Sequence, residues 1–201
     1  NAGEYYKEIK LDVVYGPVNS RRLGLSLGIN PINGGFACNW GCVYCQYGMA
    51  DLNQSVKTGR IRFFTLEEIK GGLDRRLCSN EHYDSITICG PTEPTLHPEF
   101  DSIVKLTVEM RDKYRPNIPV SLFTNASRLN GKDLSPLDFV FMKLDIGNEE
   151  TFKRFNRPKE KVDFRELIEQ LATVKVKKRI IQTMIVGGKD GNAKESSLRD
   201  Y

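Results

Sequence analysis

The chain has no stretch of about 18 apolar residues, so no segment reads as a membrane-spanning helix. Its opening, Asn1-Ala-Gly-Glu-Tyr-Tyr-Lys7, lacks the apolar core of an export signal. Internal repeats, low-complexity tracts and a second compositional zone are also missing, which argues against solenoid and disordered architectures. Charge of one sign is not dominant: 30 basic and 26 acidic residues leave +4 over 201 residues. The densest basic run, Lys175-Val-Lys-Lys-Arg179, reads as a solvated helix end leading into a strand, so charge alone gives RNA binding little support. Cysteine is scarce and odd in number, five in all, which argues against a disulfide framework and for a reducing, cytoplasmic setting. What remains is an ordinary soluble composition, 39% hydrophobic and 28% charged, long enough for one domain with a substantial core.

Three of the five cysteines are spaced Cys38-x-x-x-Cys42-x-x-Cys45. Three thiolates on one short loop suit three irons of a [4Fe-4S] cube and leave the fourth iron open to a substrate or cofactor, which a four-cysteine electron-carrier site does not permit. The plain alternative is structural zinc, which wants four ligands. Its fourth ligand would come from Cys78, Cys89, His82 or His97, none of which forms a second close pair.

The order of elements supports a site on a parallel sheet. Leu23, Leu25, Leu27 and Ile29 alternate with small residues as a first strand, and the cysteine loop follows. Thr65 and Glu68 form a capping box for a helix carrying Leu66, Ile69, Leu73 and Leu77, with Gly71 and Gly72 weakening its middle. Ser85–Ile88, Val120–Thr124, Phe139–Leu144 and Arg179–Val186 read as four further strands. Between them, Pro98 suits the first turn of a helix with Phe100, Ile103, Val104 and Val108 inward. Asn148 caps a short helix through Phe155, and Asp163 with Glu166 caps another. Thr92-Glu93, Thr124-Asn125, Lys143 with Asp145, and Gly187-Gly188 each follow or end a strand, where α/β sheets and barrels carry their chemistry. The connection between the third and fourth strands is short for a helical crossover, so residues are expected to be missing near Leu134. No sixth strand is visible either, which makes the C-terminal part of the barrel truncated or disordered. Cys89 and Cys78 read as small hydrophobes, and Arg21 and Arg22 as partners of acidic neighbours.

The cysteine triplet with Tyr44 before its last member resembles the signature of the radical S-adenosylmethionine (SAM) superfamily. The segments Tyr15–Gly24, Glu93-Pro-Thr-Leu-His-Pro98, Thr124-Asn-Ala-Ser127, Lys143-Leu-Asp145 and Thr151–Pro158 together resemble its Fe–S oxidoreductase branch related to wybutosine-biosynthesis enzymes. The resemblance implies a partial (β/α)6 TIM-like barrel over a single domain, 1–201, with 1–14 as a lead-in. It also implies a [4Fe-4S] cluster on Cys38, Cys42 and Cys45, and reductive cleavage of SAM to a 5′-deoxyadenosyl radical that takes hydrogen from a substrate. Tyr44 would face the adenine; its alternative is loop packing. Glu93 and Thr92 fall on a segment that holds the SAM amino group, read here as Pro91-Thr-Glu-Pro94, where Pro91 removes a donor; Glu93 alternatively starts a helix. Thr124 and Asn125 would meet the ribose or carboxylate, or Asn125 would cap a helix. Lys143 would meet the SAM carboxylate, and Asp145 the ribose hydroxyls or merely turn the chain. An external flavodoxin- or ferredoxin-like one-electron donor is implied, with an RNA substrate open through the same resemblance. A non-catalytic Fe–S electron carrier or sensor, and a zinc-stabilised binding module, stand as alternatives.

Overall fold

The computed structural model describes residues 12–33, 37–47 and 61–193. Its main sheet has six strands in the spatial order β1 (Val14–Ser20), β2 (Gly24–Ile29), β5 (Ser85–Ile88), β6 (Val120–Thr124), β7 (Phe139–Lys143) and β8 (Lys178–Gln182). β1 runs antiparallel to β2, and every later neighbour is parallel. A separate pair, β3 (Ile32–Asn33) and β4 (Arg62–Phe63), closes next to it. The helices are α1 (Leu66–Leu77), α2 (Phe100–Tyr114), α3 (Glu149–Phe155) and α4 (Phe164–Thr173). Helices join three of the four parallel strand pairs, and the sheet does not close: this is an open α/β partial barrel. Among the described residues, no helix is long and apolar enough to cross a membrane.

Alternation along the strands divides the sheet into two faces. Leu27, Ile29, Ile86, Ile88, Val120, Leu122, Val140 and Met142 are fully buried, within one core that also takes Ile69, Leu73, Ile103 and Val104 from the helices. The opposite face carries a hydroxyl ladder, Ser26 to Thr87 at 2.7 Å and Thr87 to Ser121 at 3.0 Å, beside the stacked rings of Phe123 and Phe141.

Local signals form as their chemistry dictates. Thr65 Oγ1 accepts from the Glu68 N–H while the Glu68 carboxylate accepts from the Thr65 N–H, and Arg62 forks onto the same carboxylate. Gly72 is there because α1 lies against β1: a Cβ would stand 2.8 Å from Val14 Cγ2. Asn148 caps α3, and Asp163 caps α4 by accepting from Arg165 and Glu166.

Four expectations need correction. β1 is an unforeseen antiparallel edge strand; its ladder is bulged between Tyr15 and Val18, around Pro17, so no alternating pattern marks it. α2 starts at Phe100, and Pro98 lies in the turn after a 3₁₀ turn at Pro94–Leu96. β8 ends at Gln182 and does not run to Val186, because side chains take over the backbone donors: Asp145 accepts from Met184 N at 2.8 Å and Asn192 from Val186 N at 2.7 Å. Residues 125–138 join β6 to β7 without a helix. Buried Leu129, Leu134 and Leu137 fill that place in the core, so no missing residues near Leu134 are required.

Candidate functional site

The cysteine loop is held against the sheet's C-terminal edge by the segment that ends α3. Gly41 N donates to the carbonyl of Asn156 at 3.1 Å, Val43 N to that of Phe155 at 2.9 Å, and Lys159 N to that of Asn39 at 2.9 Å. Trp40 forms a bridge with Pro158 and meets the Phe152 ring edge-on at 5.1 Å. Arg157, at φ +47°, turns the chain back so that residues on both sides of it reach the loop. Thr151–Pro158 is therefore the platform for the cysteines, brought to them only by folding: Asn156 and Cys42 stand 114 residues apart in sequence.

Cys38, Cys42 and Cys45 are free thiols, each half-buried. Two of the sulfurs receive side-chain amides: Asn125 Nδ2 lies 3.6 Å from Cys38 Sγ, and Asn156 Nδ2 lies 3.4 Å from Cys42 Sγ. The Trp40 N–H also points at Cys38 Sγ, at 3.4 Å. Burial, with the Glu93 charge added, pushes the Cys38 thiol up to about 12, and burial raises that of Cys42. N–H groups aimed at sulfur favour a thiolate and thus offset the burial that opposes it.

Glu93 sits at the end of β5, 4% exposed. Its Oε1 accepts from the Thr95 hydroxyl at 2.6 Å and the Thr124 hydroxyl at 2.6 Å, and its Oε2 from Asn125 N at 2.7 Å. Burial raises its pKa, and these donors oppose the shift. It also caps the 3₁₀ turn through Thr95 N, so the expected helix-start role is present alongside the network. Its neighbour Thr92 is buried with a hydroxyl that has no partner among the described residues.

The second centre is Asp145, after β7, 3% exposed. Oδ1 meets Lys143 Nζ at 3.2 Å and Met184 N at 2.8 Å; Oδ2 meets the Tyr44 hydroxyl at 2.6 Å and Asn156 Nδ2 at 2.8 Å. Lys143 Nζ also lies 5.0 Å over the Tyr44 ring. Burial and the charges of Cys42 and Asp145 raise the Tyr44 phenol, which stays a donor.

All seven non-cysteine residues expected from sequence thus gather with the cysteines at the ends of β5, β6 and β7. Thr124 and Asn125 bond Glu93, and Lys143 and Tyr44 bond Asp145. Asn125 has its amide committed to Asn39 and Cys38 and its carbonyl to Ser127. Sequence reading missed Asn156 and Asn39. The only signal was their place inside motif segments, because burial of an asparagine is not written in local pattern. Other residues lie apart. Arg21 and Arg22 occupy the turn between β1 and β2, at the sheet's other edge. Cys89 takes the Tyr15 hydroxyl at 3.0 Å, a polar contact in place of the expected apolar one, and Cys78 is exposed on the C-cap of α1.

The donor set, three half-buried thiols with side-chain amides on two of the sulfurs, suits an Fe–S cluster that takes each thiolate on a separate iron. Of the fourth zinc ligands weighed from sequence, His97 has both ring nitrogens engaged, with Phe64 O and Glu99 N, and His82 faces Asp84. Beside the cysteines, the unpartnered Thr92 hydroxyl and the Glu93 carboxylate suit a polar, cationic ligand.

Comparison with known proteins agrees. Residues 32–199 match the family model described as the radical SAM superfamily. A UPF0026 protein of Methanocaldococcus jannaschii is 32% identical over 186 residues, covering 88% of this chain and 55% of that protein. A UPF0026 protein of Synechocystis is 31% identical over 180 residues, covering 86% and 64%. A Brachyspira hyodysenteriae protein named GTPase Obg is 34% identical over 175 residues, covering 85% of this chain but 24% of its own length. The present chain contains no Gly-x-x-x-x-Gly-Lys-Ser/Thr phosphate loop, so that name has no counterpart in these residues. The chain therefore spans from about a quarter to under two thirds of these relatives. A structure of TYW1 with a lysine-pyruvate adduct bound aligns with TM-score 0.51 at 13% identity, covering 81% of this chain and 56% of that one, which shows a shared fold. With residues 32–199 matched by that family model, the chain belongs to the radical SAM superfamily.

Proposed function

We propose that this chain is the core of a radical SAM enzyme, with a [4Fe-4S] cluster on Cys38, Cys42 and Cys45. Members of the superfamily are enzymes that use such a cluster together with S-adenosylmethionine. Bound together, the two groups supply one-electron reductive cleavage of the sulfonium, giving methionine and a 5′-deoxyadenosyl radical that takes hydrogen from a substrate. The observation that carries the reading is the pair of amides from the ends of β6 and α3 aimed at Cys38 and Cys42, next to two buried carboxylates.

The chain's own residues do the binding and orienting. Glu93 Oε2 has one protein donor and a second lone pair for a cationic amine, and the Thr92 hydroxyl is offered beside it. Lys143, fixed by Asp145 and the Tyr44 ring, supplies a cation for a carboxylate. Asp145 holds Tyr44 and Lys143 in place, so that adenosine contacts fall to the ring and backbone of Tyr44. Thr124 and Asn125 keep Glu93 aimed at the loop. The electron would come from an external flavodoxin- or ferredoxin-like protein in the cytoplasm.

The test is anaerobic reconstitution followed by dithionite reduction with and without SAM. A SAM-dependent change in the cluster's paramagnetic resonance, together with 5′-deoxyadenosine in the products, supports the reading. A reducible cluster unmoved by SAM would make this an electron carrier or sensor, and zinc without iron or sulfide would make it a binding module.

A further inference from the structure

We propose that Asn156 is a positioning residue for the cluster: its amide clamps Cys42 and raises the cluster's reduction potential through an N–H to sulfur hydrogen bond. This rests on the cluster reading above and goes beyond it by assigning a residue outside the cysteine loop to the electron-accepting step.

Asn156 is 1% exposed, and its Nδ2 serves two acceptors, Cys42 Sγ at 3.4 Å and Asp145 Oδ2 at 2.8 Å. The orientation of the amide is dictated by those neighbours. A carboxylate and a thiolate both accept, so the NH₂ end must face them, and both its hydrogens are used. The Oδ1 end is buried with no partner among the described residues, so nothing on that side holds the group in place. The backbone is locked as well: Asn156 N donates to Phe152 O at 2.8 Å, and Asn156 O accepts from Gly41 in the cysteine loop at 3.1 Å. The next residue, Arg157, is held at φ +47°, a conformation costly for a side-chain-bearing residue, which keeps Asn156 at the loop. The amide on Cys38 is weaker by geometry, at 3.6 Å and shared with Asn39 at 2.9 Å.

Asn156 stands between two negative groups, and this gives it its effect. When one electron from dithionite or the donor protein enters the cluster, negative charge grows on the cube and its sulfurs, and no atom is transferred. An N–H dipole aimed at Cys42 stabilises that reduced state more than the oxidised one. Asp145 acts in the opposite sense, and the intervening amide neutralises part of its field at the sulfur. Without the amide, reduction is harder.

The experiment is a redox titration, followed by paramagnetic resonance, of the full reconstituted chain as wild type, Asn156→Leu and Asn156→Asp, with iron and sulfide measured in each. We expect Asn156→Leu to bind iron as wild type does and to show an about tenfold lower reduced-to-oxidised ratio at a fixed potential, which is about 59 mV for one electron. Asn156→Asp, of the same shape but with an acceptor facing Cys42, should fall at least as far. A loaded leucine variant with the wild-type potential overturns the assignment and leaves the cluster reading intact. If the leucine variant takes up no cluster, the aspartate variant decides by the same readout. If both fold yet neither takes up iron, Asn156 assembles the site without tuning it, and the proposal is overturned. An unmutated chain that holds no iron sinks the underlying reading, a result seen in a different sample.

Discussion

The Thr124 hydroxyl donates to Glu93 Oε1 at 2.6 Å, tying the end of β6 to the end of β5 across 31 residues of sequence. Thr124 Oγ1 in turn accepts from Ala126 N at 3.0 Å, so one side chain fixes both the carboxylate and the left-handed turn at Ala126, φ 66°. Replacing Thr124 by Val keeps the shape and leaves Glu93 one donor short. We expect a loss of about 1–3 kcal/mol in denaturant unfolding of the metal-free chain, with Thr124→Ser near wild type. Equal midpoints for Val and wild type would remove Thr124 as the tie.

Tyr44 and Asp145 make the corresponding tie on the other side of the site, at 2.6 Å. Tyr44→Phe removes only the hydroxyl and leaves the ring beneath Lys143. The reconstituted variant should hold wild-type iron and bind SAM about tenfold more weakly, about 1.4 kcal/mol, when SAM is titrated against the cluster signal. Unchanged SAM affinity would show that Asp145 positions nothing through this bond.

Adjacent glycines of α1 should respond with opposite signs. A Cβ on Gly71 meets only Arg75 Nη1, at 3.6 Å, so Gly71→Ala should stabilise the chain by about 0.5–1 kcal/mol through helix propensity. A Cβ on Gly72 would stand 2.8 Å from Val14 and 2.9 Å from Val13, so Gly72→Ala should destabilise by about 1–3 kcal/mol as β1 is pushed away. Thermal unfolding of the two variants separates packing from propensity, and matching signs would contradict the packing described.

His97 provides a test by pH. Burial lowers its pKa below the ordinary 6.5, and the neutral ring both bonds Phe64 O and accepts from Glu99 N. The unfolded chain therefore takes up the proton first as pH falls. The stability that neutral His97 contributes is complete above about 6.5 and is lost progressively below it. The gap in unfolding free energy between wild type and His97→Gln should narrow from pH 7.5 to pH 5.5. The other histidine, His82, is common to both proteins and does not contribute to the difference. A gap independent of pH would mean that His97 stays accessible to protons.

Sequence by itself determined the parts that local chemistry specifies. The cysteine spacing, the caps at Thr65, Asn148 and Asp163, the period-two run of β2 and the short apolar runs of β5, β6 and β7 each depend on residues a few positions apart. Polar residues following those strands come together in space, since a parallel sheet gathers its strand ends at one edge. What only the tertiary structure decided involves partners far apart in the chain. Asn156 becomes a sulfur partner because α3 ends against the cysteine loop, and β8 stops at Gln182 because Asp145 and Asn192 compete for its backbone donors. Gly72 is explained by Val14 of an edge strand that no alternation announced. Local pattern encodes dihedral preference and the side of an element that is apolar. Which buried amide faces which sulfur depends on how whole elements pack, and no short window of sequence contains both partners.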